Sequence, residues 1–283
     1  MVVTSSLPWR ARLLRFYARM PDHPLKLRIY DWLRSSRPFR FVTARFAYGT
    51  FKLDLIDYVQ HAMFQEGSYE PASFALFQSL IETDATIVDV GANVGQYSLA
   101  AARLTGPGGR VVAIEPHPGL CARLLDNIRL SGAEDRVLPV TSPLSRSSDF
   151  IEFGLPEAGA LGTTRPRKPG EARGFLAMAV TIGDLAGRLG IENIAVMKVD
   201  IEGHDLAVID DMFRHSTLRP RHILFEHLPS HFRYGIPDAD LPAYFSGFGY
   251  EVLTVDGKTY SPGQPLPEDN LWARRIAKGD GRP

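Results

Sequence analysis

Four side chains that follow two apolar runs are of the right types for acid–base chemistry. "IAVMKVDIEGHD" delivers Asp200 and Glu202, and "RHILFEHL" delivers Glu226 and His227, with His231 a few residues further on. Residues 198, 200 and 202 share one side of an extended chain, and Gly203 permits a sharp departure from it. A carboxylate or imidazole there can remove a proton from an acceptor as its nucleophilicity develops. Asp200, Glu202, Glu226 and His227 are therefore the catalytic candidates. Asp200 and Glu226 could instead hold a divalent ion that lowers an acceptor's pKa, but no metal ligand is assigned. Capping of the helix that follows is the competing structural role for Asp200 and Glu202, and His204 and His215 read as surface residues of that helix.

A second stretch, "TIVDVGANVGQYSLAAARL", indicates what these groups act upon. It runs from apolar residues through a two-glycine loop into a helical pattern. Glycines let a ligand approach the backbone, and the free N–H groups of the helix start then face it. A dinucleotide loop would read G-x-G-x-x-G. Here Gly91 is followed by Ala92, Asn93, Val94 and Gly95, so that pattern fails. Asp89, two residues before Gly91, would repel a pyrophosphate but suits a ligand with an ammonium group, met directly or through water. Glu115, about 20 residues past the loop at the end of "VVAIEP", can accept hydrogen bonds from both ribose hydroxyls. An amino-acid end, a cationic centre and an adenosine together describe S-adenosylmethionine, and methyl transfer from it is an in-line displacement needing a positioned acceptor and a base.

The elements that must position these residues alternate. "ATIVDV", "GRVVAIE", "DRVLPV", "IAVMKVD" and "RHILFE" are short apolar runs of the kind buried parallel strands show, and "YEVLTV" and "NLWARRIA" close the series. Helical patterns lie between them at roughly 95–104, 118–130, 203–215 and 239–247. This predicts an open α/β sheet with helices on both faces. Before it come a helix over 9–20, a second in "PLKLRIYDWL", a strand pair turning near Gly49, and a helix opened by Pro71. Residues 1–70 are thus a basic extension of helices and a strand pair, and 71–278 the main domain. The Gly- and Pro-rich stretch 154–173 reads as a long functional loop, a lid or substrate wall offering Arg165, Arg167 or Lys168 to an acidic group.

At 283 residues, with 45% hydrophobic and 23% charged side chains, the chain can bury a full core. Cys121 is the one cysteine, which excludes an intramolecular disulfide and any multi-cysteine zinc site. No secretory signal pattern opens the sequence and no run approaches the roughly 18 apolar residues of a membrane span, so a cytoplasmic location is expected. A formal net charge of zero hides an asymmetry: residues 1–45 carry +8 and the remainder −8. Trp9, Leu13, Phe16, Tyr17 and Met20 form an apolar stripe, with Arg12, Arg15 and Arg19 opposite. Two readings follow: weak peripheral contact of residues 9–20 with an anionic membrane or a lipid-linked glycan, or an apolar stripe packed on the core with its arginines in water.

The motifs "EGSYEP", "IVDVGANVGQYS", "VVAIEPHP", "DNIRLSG" and "MKVDIEGHDLAVI", in this order over roughly residues 45–258, resemble the FkbM-type family of S-adenosylmethionine-dependent methyltransferases. The resemblance implies the class I, Rossmann-like methyltransferase sheet of seven strands with the last antiparallel. It implies O-methylation of a hydroxyl on a sugar, glycolipid, polysaccharide or secondary metabolite. By motif position it sets Asp89, Gly91, Asn93, Gly95 and Glu115 along the cofactor and Asp200 and Glu202 at its methyl-donor end. Ala92, Tyr97, Ser98 and Pro116, from the same motifs, complete the expected cofactor shell. Near the adenine the family often carries an acid, whereas "PVTSPLSRSSD" offers Thr141, Ser142 or Ser145; Thr141 is assigned.

The expected acceptor is a small molecule or glycan. N-methylation of a peptide or amine is the alternative, since a carboxylate base serves it equally. A nucleic-acid methyltransferase is disfavoured, because no N-P-P-Y-type sequence follows the fourth strand and the chain is not strongly basic. A non-catalytic cofactor-binding protein fits poorly with intact Asp89, Glu115 and Asp200. Neither H-E-x-x-H nor G-x-S-x-G occurs, so zincin and α/β-hydrolase chemistry find no support.

Overall fold

Consecutive residues of the central strands are apolar on both faces, so the sheet must be covered on both sides. A computed structural model of the chain describes residue 7 and residues 9–154, 160–227 and 236–276. It begins with α1 (Trp9–Ala18), α2 (Lys26–Ser35), α3 (Arg37–Arg40), β1 (Phe41–Phe46), β2 (Gly49–Asp54), α4 (Tyr58–Glu66) and α5 (Pro71–Ser79). The main sheet then opens with β3 (Thr86–Val90), α6 (Gln96–Leu104), β4 (Arg110–Ile114), α7 (Pro118–Ser131) and β5 (Val137–Val140). A hairpin of β6 (Phe150–Gly154) and β7 (Arg173–Met178) follows, then α8 (Ile182–Leu189) and β8 (Val196–Val199). The remainder is α9 (Asp205–His215), β9 (His222–Glu226), α10 (Leu241–Gly247), β10 (Tyr250–Thr254) and β11 (Asn270–Arg275).

Seven strands pair in the order β10-β11-β9-β8-β3-β4-β5. The five from β9 to β5 are parallel, and β11 inserts antiparallel between β9 and β10. This is the class I methyltransferase sheet. Ile87, Val111, Ala113, Val196 and Leu224 face one core with α6 and α7, whereas Val88, Val112, Ile114, Met197 and Phe225 face a second core with α8, α9 and α10. Asp89 and Lys198 lie opposite each other in the β3–β8 register, on the first of these faces.

The segment before residue 71 packs against that first face and shares its core through Leu14, Phe51, Leu53 and Phe64. Polar contacts fix it there. Asn127 Oδ1 accepts from Lys52 N at 2.8 Å and Ser131 Oγ from Thr50 N at 2.9 Å, which hangs β2 on α7. Asp54, buried, takes a bidentate pair from Arg40 and a further contact from Arg123. Glu268 caps α5 from almost two hundred residues away, accepting from Ala72 N and Ser73 N.

Three features depart from the sequence expectations. The stretch 154–173, of which residues 155–159 lie outside the described residues, joins an antiparallel strand pair, β6 and β7, that the sequence did not suggest, and its Pro166 bridges back to Phe153. Helix α8 went unforeseen because Gly183 and Gly187 interrupt its pattern. Helix α1 is turned over. Ala11, Leu14 and Arg15 are buried, while Trp9, Leu13, Phe16 and Met20 are exposed.

Candidate functional site

The carboxyl ends of β3, β4, β8 and β9 open onto one cavity of about 350 Å³, the place where open α/β sheets bind ligands. Its floor is the glycine loop. Gly91 N and Ala92 N both bond to Ile114 O at 2.9 Å, closing the loop over the end of β4. Gly91 has φ +84, and a Cβ there would stand 1.9 Å from Asp200 O, so the ends of β3 and β8 can meet only because this residue has no side chain. Gly95, at φ +96, is the N-cap of α6 and aims that helix's first N–H groups toward the loop.

Glu115 follows β4 with both oxygens engaged: Oε2 accepts from Asn93 N and Oε1 from His117 N, each at 2.8 Å. Burial pushes its pKa up to about 7 despite those bonds. Asn93 beside it holds a left-handed conformation, φ +51, which asparagine adopts at little cost. Asp89 is more deeply set than its role at a ligand-lining position would require. It is fully buried, its Oδ2 accepts from Ser98 Oγ at 2.5 Å, and burial raises its pKa to about 6 against the opposing pull of Ser98 and Lys198. Asp89, Ser98 and Gly95 stand behind the cavity wall, not on it.

The far end is acidic. Asp200, Glu202 and Glu226 all line the cavity. Glu202 sits at φ +56, strained for a residue with a long side chain, and burial followed by the Asp200 charge pushes its pKa up to about 7. Glu226 is driven well above the carboxylate range by burial and then by Asp200, Asp205 and Glu202. The junction is tied by Asp205, the first residue of α9, whose Oδ1 accepts from Glu226 N at 3.2 Å and Oδ2 from Ile201 N at 3.4 Å. One buried cation serves the cluster: Lys198 Nζ donates to Asp200 Oδ2 at 3.1 Å and to Asn270 Oδ1 at 3.3 Å, and lies 5.3 Å from the Tyr97 ring centre. Burial works against its charge, but Asp200 and Glu70 outweigh burial and hold the lysine above its usual range.

Two expected site residues lie elsewhere. His227 follows Glu226, so its ring turns to the other side of the strand end. It is buried, with Nε2 2.9 Å from Tyr260 Oη and 3.0 Å from Asp238 Oδ1, and it does not line the cavity. Thr141 is exposed and outside the cavity, and Pro143, Leu144 and Ser145 take the wall there because the chain turns inward after it. His231 lies outside the described residues. Ala92, Asn93, Tyr97 and Pro116 line the cavity together with Gly91 and Glu115. Among the described residues, no group of three or more His, Cys, Asp or Glu is arranged to hold a metal ion.

The sequence reading missed a whole wall. Tyr58, Val59 and Met63 of α4, with Tyr69 after it, face the glycine loop, and Tyr69 exchanges two hydrogen bonds with the Gln96 side chain. Gly162, Thr163, Thr164 and Pro166, from the stretch expected as a substrate wall, also line the cavity, with Gly162 beside Val59 and Asn93, and His204 lines the cavity, not the surface. Tyr69 falls in "EGSYEP", whose polar residues between two helical patterns were the one available signal. Arg165 and Arg167 are already committed, to Glu171 at 2.6 Å and Glu152 at 3.0 Å.

Four buried polar atoms on lining residues have no hydrogen-bond partner among the described residues: Asp57 Oδ2, Asn93 Oδ1, Tyr97 Oη and Glu226 Oε2. Native structures rarely leave such atoms unpaired, and their convergence on one cavity fits a ligand with several polar groups. A glycine cradle, the cavity-lining acid Glu115 and these orphans suit S-adenosylmethionine.

The sheet order and this cavity define a class I methyltransferase. Residues 89–252 match the sequence model of the "Methyltransferase FkbM domain", and the chain belongs to this family of S-adenosylmethionine-dependent methyltransferases. Over 132 residues it is 32% identical to the hexuronic acid methyltransferase AglP of Haloferax volcanii, a match covering 46% of this chain and 51% of that protein. The matched part thus spans about half the length of that relative. Among solved structures, M. jannaschii TYW2 in complex with AdoMet is 18% identical with a TM-score of 0.44, covering 84% of this chain and 87% of that one. A SAM-dependent O-methyltransferase from Thermotoga maritima is 13% identical with a TM-score of 0.41, covering 76% and 68%.

Proposed function

We propose that the protein methylates a hydroxyl group of a sugar or glycan. The observation that carries this reading is the single cavity joining the glycine loop and Glu115 to the carboxylates of Asp200, Glu202 and Glu226. S-adenosylmethionine, when bound, supplies an electrophilic methyl group on a sulfonium centre. The Gly91–Ala92–Asn93 backbone and Glu115 hold its nucleoside part. Asp89 acts from behind, fixing Ser98 and with it the start of α6. Asp200 and Glu202 face the methyl-bearing end.

A sugar hydroxyl is a weak nucleophile, so the chain must take its proton as the new bond forms. Glu202, with its pKa near 7, is the best matched base: it is partly ionised at neutral pH and basic enough to accept a proton. Glu226 holds its proton more firmly and serves as a hydrogen-bond donor or acceptor that orients the sugar. Lys198 keeps the Asp200 end balanced, so that three acids can share one pocket. The likeness to a hexuronic acid methyltransferase supports a sugar as the acceptor.

Incubation with methyl-labelled S-adenosylmethionine and a panel of hexuronic acids, neutral sugars and amines tests the reading. The expected product is a sugar heavier by one methylene unit, with the label on oxygen. Label found only on amines, with no sugar labelled, would overturn it.

A further inference from the structure

Helix α1 carries two faces of opposite fate. At 100° per residue, Ala11, Leu14, Arg15 and Ala18 form one side, and Trp9, Leu13 and Phe16 form the other, with exposed Met20 just past the helix end. The first side packs: Leu14 is fully buried, and Arg15 donates to Gln65 O at 3.1 Å with its guanidinium 5.6 Å from the Phe64 ring centre. The second side is bare, with Trp9 66% and Phe16 67% exposed. Arginines border the bare stripe, Arg12 and Arg19 along one edge and Arg10 along the other, and all three are exposed. None of them makes an ion pair among the described residues, whereas Lys26 and Arg34 of α2 pair with Asp22 and Asp31. Helix α2 adds exposed Leu27 and Trp32. Among the described residues no helix is long and apolar enough to cross a membrane.

A stripe of Trp, Phe, Leu and Met bordered by arginines that make no ion pair among the described residues matches a surface that is apolar at depth and anionic at its boundary. Charge complementarity selects a negatively charged bilayer over a protein groove, because the arginines flank the apolar stripe on both edges where headgroups would stand. We propose that α1 docks the protein on an anionic lipid bilayer, lying in the interface with Trp9, Leu13, Phe16 and Met20 inserted. The position of α1 has a consequence for the site. Helix α4 supports it through Gln65 O and Phe64, and the same helix lines the cavity with Tyr58, Val59 and Met63. Docking by α1 therefore sets the cavity beside the membrane surface, where a lipid-linked acceptor would be presented; that last step rests on the glycan reading above, and the docking does not.

The full chain is sedimented with vesicles of phosphatidylcholine alone and of phosphatidylcholine with phosphatidylglycerol, at low and high salt. The expected result is binding to the anionic vesicles only, weakened by salt. Replacing Arg10, Arg12 and Arg19 by Gln lowers the partition about fivefold for each charge removed, the equivalent of about 1 kcal/mol per basic residue at such a surface. The variant W9S/L13S/F16S loses binding. These side chains are exposed, so circular dichroism and S-adenosylmethionine binding by calorimetry remain as in the unaltered protein. Equal recovery of unaltered protein and W9S/L13S/F16S with anionic vesicles overturns the proposal. So does a concentration-dependent dimer in sedimentation velocity that W9S/L13S/F16S abolishes, which assigns the stripe to a second copy of the chain. Failure of sugar methylation in solution, with vesicle binding intact, strikes the proposed activity alone.

Discussion

Lys198 and Asp200 meet at 3.1 Å at the end of β8, and the cation is the buried partner: its side chain is 1% exposed, the carboxylate's 29%. The lysine is thus a fixed part of the sheet face, and the carboxylate is the part that can reach a ligand. Glu70 and Asn270 complete the cage, since Asn270 accepts from Lys198 and donates to Glu70 Oε2 at 2.8 Å. Replacing Lys198 with Met leaves Glu70 and Asp200 without a countercharge. Breaking a buried pair this way costs about 3–5 kcal/mol, and the water available to Asp200 puts the expected loss at the lower end. Thermal unfolding of Lys198→Met against the unaltered protein measures it.

Asp200→Ala separates binding from chemistry. Affinity for S-adenosylmethionine in calorimetry should stay within a few-fold, while kcat falls by roughly 10²-fold, because the Glu202 base loses the neighbouring charge that raises its pKa and Lys198 loses its partner. Unchanged kcat would make Asp200 only the partner of Lys198.

Glu202 gives the site its pH response. Its folded pKa of about 7 lies above the ordinary 4.5, so stability present below the ordinary value is lost as pH rises toward the folded one. The protein without cofactor should therefore melt lower at pH 8 than at pH 5, and Glu202→Gln should flatten part of that fall. Turnover runs the other way, rising with the ionised fraction through about pH 7. In Glu202→Gln this rise disappears along with most of the rate.

Asp89→Ala should abolish measurable S-adenosylmethionine binding, because the buried carboxylate organises Ser98 and the start of α6. Ser98→Ala removes only one hydrogen bond to a charged group, worth about 1.5–3 kcal/mol, and should weaken binding about tenfold or more. Affinity in both variants equal to that of the unaltered protein would show that the Asp89–Ser98 contact has no part in forming the cradle.

Gly91→Ala tests the meeting of β3 and β8. The new methyl would stand 1.9 Å from Asp200 O in a backbone of φ +84. Left-handed strain of about 1–2 kcal/mol and overpacking of about 1–3 kcal/mol should both appear as a lowered Tm. The displaced Asp200 should also lower kcat.

The parallel core was legible because its strands are buried on both faces, and "ATIVDV", "GRVVAIE" and "IAVMKVD" carry that as unbroken apolar runs. The glycine loop and the acids of β8 and β9 could be read because strand ends imply a shared edge. The α1 helix shows where periodicity stops. It identifies a stripe but cannot say which side meets the core, and here the inner side is built from small Ala11 and Ala18, with Leu14 and an anchored Arg15. His227 failed for a related reason: neighbours along an extended chain point to opposite sides, so only Glu226 could reach the cavity. The wall formed by α4 had no local mark beyond the "EGSYEP" that holds Tyr69, since it depends on how the first seventy residues dock.

Asn270 bonds to Glu70 across 200 residues of sequence, and it opens β11, the strand inserted between β9 and β10. During synthesis the acidic end of the cavity therefore stays unfinished until that strand has left the ribosome. The parallel strands β3, β4, β5, β8 and β9 can assemble earlier, but the Lys198 ammonium gains its amide partner only when β11 closes the sheet. Such a distant closing contact makes this edge slow to form. The nascent chain would consequently carry its cofactor cradle before it carries a completed acidic pocket.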